Sequence, residues 1–155
     1  MDASGYPGRA ECDILKSDYD LPKSVFMLPV KILVIDQHAV FTDSVISFLK
    51  LHSEFKVVAT ATTSARGLLE AKALQLDVII VGLELRGFRG LTTIRRLRDL
   101  CPTTGIIALS LHDHDSYQKA ALTSGADDFV SKLRVVEDLV PAIQRVVQSR
   151  SADSN

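Results

Sequence analysis

Apolar residues fall in short blocks along this chain, and the blocks alternate between a strand-like and a helix-like period. Val30 to Ile35 (VKILVI) is a run rich in β-branched residues that stops at Asp36 and predicts a first strand. Val40, Phe41, Val45, Phe48 and Leu49 then recur at helical spacing. Phe55 to Ala61 (FKVVATA) predicts a second strand, and Ala65 to Leu74 a second helix with Ser64 as its cap. Asp77 to Leu83 (DVIIVGL) is apolar on both faces and predicts a third strand. Gly87 and Gly90 mark a turn before the stripe Leu91, Ile94, Leu97 and Leu100, which ends at Cys101-Pro102. Gly105 to Ser110 (GIIALS) predicts a fourth strand, Asp115 to Thr123 a short helix, and Asp128 to Ser131 a fifth strand after Gly125. The final helix is expected over Val135 to Ser149, with Leu139, Ile143, Val146 and Val147 inward.

Strands that are apolar on both faces must be covered on both sides, which is the signature of a parallel sheet between helices. With right-handed crossovers the expectation is an α/β, doubly wound sandwich. Its working crevice lies beyond the carboxyl ends of the strands. That places Asp36-Gln37, Gly82 to Glu84, Ser110 to Asp113 and Ser131-Lys132 at the functional rim. Residues 1–29 show no sustained period and are expected as a flexible leader; the domain is expected over 30–149, with 150–155 as a tail.

Composition narrows the function. The 155 residues carry 18 Lys and Arg against 19 Asp and Glu, a net charge of −1, which gives no electrostatic reason to bind nucleic acid or an anionic membrane. Cys12 and Cys101 make no disulfide framework, and no Cys/His spacing resembles a zinc site. With no membrane-length apolar run and no signal-peptide pattern, a cytoplasmic location is expected. The cluster His112-Asp113-His114-Asp115 reads as a solvated loop that caps the fourth helix through Asp113 or Asp115, and His38 as a helix-start residue. Arg95, Arg96 and Arg98 read as a solvated helix face.

ILVIDQHAVFTDSV at the first strand resembles the opening of response-regulator receiver domains, particularly the NarL/FixJ type. DVIIVGLELRGFRGL, IIALS and GADDFVSK resemble the third, fourth and fifth strands of the same family, in the correct order. The resemblance implies a flavodoxin-like (βα)5 fold with strand order 2-1-3-4-5. In receivers an aspartate ending the third strand accepts a phosphoryl group from a histidine kinase, while two acids after the first strand help hold Mg²⁺. A hydroxyl from the fourth strand and a lysine from the fifth contact the phosphate, and an aromatic residue on the fifth strand switches.

On that pattern Asp36 matches the first acid, Gln37 stands at the second, Ser110 matches the hydroxyl, Lys132 the lysine and Phe129 the aromatic switch. Counted back from the LRGFRG loop, the phosphoacceptor position falls on Gly82, which can form no acyl phosphate. No other aspartate lies between Val78 and Arg98, and Asp77 belongs at the far end of its strand. Glu84 shares the side-chain parity of Gly82 and is expected in a static role, pairing with Lys132 or filling the crevice. Asp36 and Lys132 are expected to neutralise each other.

The expectation is a degenerate pseudo-receiver that acts by protein–protein recognition, without enzymatic activity, cofactor or metal. Its contact surface would be the fourth helix, fifth strand and fifth helix, roughly Ser116 to Leu122 with Arg134 to Val147, for a homodimer or a protein partner. An output domain would lie elsewhere. The competing expectation is a sensor whose vacated crevice takes a small molecule or anion on Lys132, Ser110 and backbone amides.

Overall fold

A computed structural model describes residues 28–86 and 89–153, with side chains to 151. The predicted leader therefore falls outside the described residues apart from Leu28 and Pro29, as does Gly87. Five strands, β1 (Val30–Ile35), β2 (Phe55–Ala61), β3 (Val78–Gly82), β4 (Gly105–Ser110) and β5 (Asp128–Ser131), form one sheet in the order β2-β1-β3-β4-β5. Every neighbouring pair is parallel. Helices α1 (Ala39–Leu49), α2 (Ser64–Ala73), α3 (Gly90–Leu100) and α4 (Asp115–Ser124) make the crossovers, and α5 (Val135–Asp153) follows the last strand after a 3₁₀ turn at Lys132–Arg134.

Side-chain alternation divides each central strand between two cores. Ile32, Val34, Ile80, Ile107 and Leu109 meet Val45 and Leu49 of α1 and Leu139, Ile143 and Val146 of α5. Leu33, Ile35, Ile79, Val81, Ile106 and Ala108 meet Ala71 of α2, Ile94 and Leu97 of α3 and Ala121 of α4. All of these strand residues are fully buried, so the apolar blocks of the sequence are the inner strands of a sandwich. Among the described residues, no helix is long and apolar enough to cross a membrane.

Several local expectations are corrected. The cap of α2 is Thr63, whose hydroxyl accepts from Arg66 N at 3.1 Å; Ser64 is already helical and its Oγ meets Thr93 Oγ1 at 2.6 Å. Neither Asp113 nor Asp115 caps α4: His114 holds the cap position without a side-chain hydrogen bond, and Asp115 lies in the first turn, where a carboxylate favours the helix dipole. At the other end Gly125 turns the chain at φ +124°, a backbone conformation that glycine tolerates best. Helix α5 runs past Ser149 to Asp153. Arg150 accounts for the extension, since it donates to Pro102 O at 3.0 Å and pairs with Asp127.

Arg98 is the larger correction, because it is not part of a solvated face. Its guanidinium donates to the carbonyls of Gly125 (3.0 Å), Cys101 (3.3 Å), Pro102 (3.1 Å) and Thr104 (2.8 Å), and to Asp127 Oδ2 at 2.8 Å. Asp127 Oδ2 in turn accepts from Ile106 N at 2.8 Å. This hub ties α3 to the starts of β4 and β5, at the end of the sheet away from the functional rim. Arg98→Ala strands several half-buried acceptors and is expected to cost about 3 kcal/mol. Arg98→Lys should recover only part of that, because an ammonium lacks the planar fork. Urea denaturation checks both.

Candidate functional site

The carboxyl ends of β1, β3, β4 and β5 bring Asp36, Gly82, Ser110 and Lys132 to one rim. Parallel register aligns Gly82 with Leu109 and Ser110 with Ser131, so the ends of β3, β4 and β5 are level. Asp36 follows β1 and is 1% exposed. Its Oδ1 accepts from His38 N at 2.8 Å and faces His38 Nδ1 at 3.3 Å. Its Oδ2 lies 2.6 Å from Lys132 Nζ. The ammonium and this oxygen meet off the angles of a hydrogen bond, so charge holds the pair.

Lys132 is itself buried, in the 3₁₀ turn after β5, and its Nζ sits 4.7 Å from the centroid of the Phe41 ring. The ring face offers a weak cation–π contact and keeps water from that side. Glu84 supplies a second carboxylate, with Oε1 3.7 Å from Lys132 Nζ. The same Oε1 accepts from Leu111 N at 3.1 Å, while Oε2 takes a very short hydrogen bond from Ser110 Oγ. Ser110 Oγ also accepts from His112 N at 2.9 Å.

Gly82 lies directly against this cluster. A Cβ built there would collide with Asp36 Oδ2 and come within 3.0 Å of Asp36 Cγ. The room for a side chain at this strand end is therefore taken by the Asp36 carboxylate.

Not every residue singled out in the sequence joins the cluster. Gln37 is exposed, lying in the bend past the end of β1 rather than under the helices that cover the strand. Phe129 is half-buried and packs with Tyr117 against the core on the α2–α4 side. Asp77 is remote: its Oδ2 accepts from Lys31 N at 2.8 Å at the start of β1. His112 stacks on Tyr117 with ring centroids 5.1 Å apart, and no group of three or more ligand side chains suited to a metal occurs among the described residues. Burial pushes the Cys101 thiol up, which leaves it a poor nucleophile at neutral pH.

Sequence reasoning missed two contributors. Phe41 packs against the core as its helical stripe predicts, and its ring also covers the lysine. His38 does more than precede the helix, because the backbone amide two residues after an aspartate is well placed to reach that carboxylate.

Comparison with known proteins gives a consistent picture. The response regulator receiver domain family matches residues 32–144. The nitrate/nitrite response regulator protein NarL of Escherichia coli (strain K12) is 30% identical over 117 residues, which cover 76% of this chain and 54% of that protein. The chain thus spans about half the length of this curated relative. Among solved structures, the signal receiver domain of NarL from Mycobacterium tuberculosis is 26% identical, with TM-score 0.66 over 76% of this chain and 98% of that one. A response regulator from Burkholderia pseudomallei, solved with a phosphorylated aspartic acid, a calcium ion and citrate, is 28% identical, with TM-score 0.68 over 81% of this chain and 72% of that one.

Proposed function

The chain belongs to the response regulator receiver domain family, and we propose that this member signals by protein–protein contact, without phosphorylation of an aspartate. One observation carries the reading: Gly82, which the resemblance sets at the phosphoacceptor position, lies against the Asp36 carboxylate, and that carboxylate is paired with Lys132 at 2.6 Å. The Burkholderia relative holds its phosphoryl group on an aspartic acid. Gly82 has no side chain to hold one.

The residues present do not fit the divalent cation of phosphorylatable receivers. Mg²⁺ needs oxygen ligands in near-octahedral geometry, with carboxylates or phosphates to hold it. Asp36 Oδ2 faces an ammonium, Gln37 is exposed, and both oxygens of Glu84 are engaged by Ser110 and Leu111. No step is routed through a metal.

The same geometry weighs against an anion or metabolite sensor. The donors such a ligand would use are taken, Lys132 by Asp36 and the Ser110 hydroxyl and Leu111 amide by Glu84. What stays available is the surface of α4, β5 and α5, where Leu122, Leu133 and Val136 are 42%, 73% and 68% exposed. Exposed apolar side chains on these elements suit a homodimer or a protein partner. A role in transcriptional regulation, in the cytoplasm and with an output domain elsewhere, belongs to the same proposal.

The test is intact-protein mass spectrometry after incubation with acetyl phosphate and Mg²⁺, beside a phosphorylatable receiver as control. An unchanged mass is expected. A stoichiometric phosphoryl adduct on this chain overturns the proposal.

A further inference from the structure

Glu84 stands just beyond β3, yet its carboxylate is engaged by two other elements. The Ser110 hydroxyl at the end of β4 donates to Oε2, the Leu111 amide donates to Oε1 at 3.1 Å, and Lys132 Nζ lies 3.7 Å from Oε1. A hydroxyl, a backbone N–H and an ammonium converging on two oxygens form the donor set that would hold any small oxyanion. Here the oxyanion is covalently part of the chain, so its effective concentration is high and the site is permanently filled.

The donors also belong to the segment that leads into α4. Ser110 Oγ passes the connection on by accepting from His112 N at 2.9 Å, and the His112 ring stacks on Tyr117 of α4. The position of the β4–α4 segment is thereby tied to one carboxylate on the β3 side.

We infer that Glu84 is a built-in anionic ligand that latches the β4–α4 segment, and with it the start of α4, in a single fixed conformation. This rests on the reading that no phosphoryl group enters the crevice, and it assigns what takes that group's place. The face used for partner contact is then constitutively set, without an input at this site.

The experiment compares two-dimensional amide NMR spectra of the wild-type chain, Glu84→Ala and Glu84→Gln, each titrated with sodium acetate at constant ionic strength. In Glu84→Ala the amides of Ser110, Leu111, His112 and Tyr117 should move, and acetate should return them saturably towards their wild-type positions. The wild-type chain should not respond, because its site is filled. Glu84→Gln keeps the packing and one acceptor oxygen; its loop amides should move less and show no saturable acetate response. It stands as the folded comparison if the alanine variant fails to fold, and unmoved loop amides in Glu84→Gln then overturn the latch. Shifts confined to the neighbours of residue 84, or no return with acetate, also overturn it. No phosphodonor is used, so failure here leaves the absence of phosphorylation untouched. A phosphoryl adduct on the wild-type chain would sink that earlier reading instead.

Discussion

Replacing Lys132 by methionine is expected to destabilise the domain by about 3 kcal/mol, the usual cost of stripping one partner from a buried ion pair. Methionine fills nearly the same volume, so packing beneath Phe41 is largely kept and the loss reports on charge. Asp36 is 1% exposed and would keep its Oδ2 in the interior with no counter-ion. Its other oxygen would retain only the His38 amide and ring. Asp36→Asn combined with Lys132→Met should be far less damaging than the sum of the single changes, with a coupling of roughly 2 kcal/mol or more. The amide of asparagine can still accept from His38 N, and Glu84, which loses its ammonium neighbour, keeps the hydrogen bonds from Ser110 and Leu111. Urea denaturation of the four proteins in this cycle checks the expectation. A Lys132→Met variant as stable as the wild type would mean that the pair is not held out of water.

A side chain at position 82 is the second large effect. The Cβ of Gly82→Ala would meet Asp36 Oδ2 and lie 3.0 Å from Cγ. Asp36 cannot retreat without giving up Lys132 on one side or His38 on the other. Overpacking at such a site costs about 1–3 kcal/mol. Gly82→Asp adds like charge to the crowding, placing a further carboxylate beside Asp36 and Glu84 with Lys132 as their shared cation. Its expected cost is larger, about 3–5 kcal/mol in the absence of divalent cations. Denaturation midpoints in metal-free buffer give the comparison. A neutral Gly82→Ala would show that the Asp36 carboxylate leaves room for a side chain.

The architecture was legible because burial on both faces leaves a plain mark. The consecutive apolar residues within VKILVI, DVIIVGL and GIIALS require helices on both sides of the sheet, and β1, β3 and β4 are indeed its inner strands. The strand order came from family resemblance, since apolar runs carry no information about which strand lies beside which.

Helix ends were harder to read. Thr63 and Ser64 are both good capping residues, and the choice between them depends on backbone angles that the sequence does not display. The polar stretch after Ser149 has no apolar period, and it is helical where Arg150 is anchored to Pro102 and Asp127 across the chain.

Within the site, Asp36, Gly82, Ser110 and Lys132 could be placed because strand ends in a parallel sheet converge on one rim. Glu84 followed by parity. The ring of Phe41 over Lys132 could not be foreseen, because a helical stripe says which face is inward but not what the first turn covers. Arg98 was misread for a related reason. A cation in a charged run can bend back onto backbone carbonyls, and nothing in the residue pattern separates that from a solvated side chain.

Whether this receiver's crevice is closed by its own charges is tested most directly by amide NMR of the wild-type chain alone, with millimolar Mg²⁺, and with Mg²⁺ plus acetyl phosphate. The amides of Asp36, Gly82, Ser110, Leu111 and Lys132 should stay in place through the series. Saturable shifts at those residues would show that the crevice still admits a metal or a phosphoryl group, and would contradict the account.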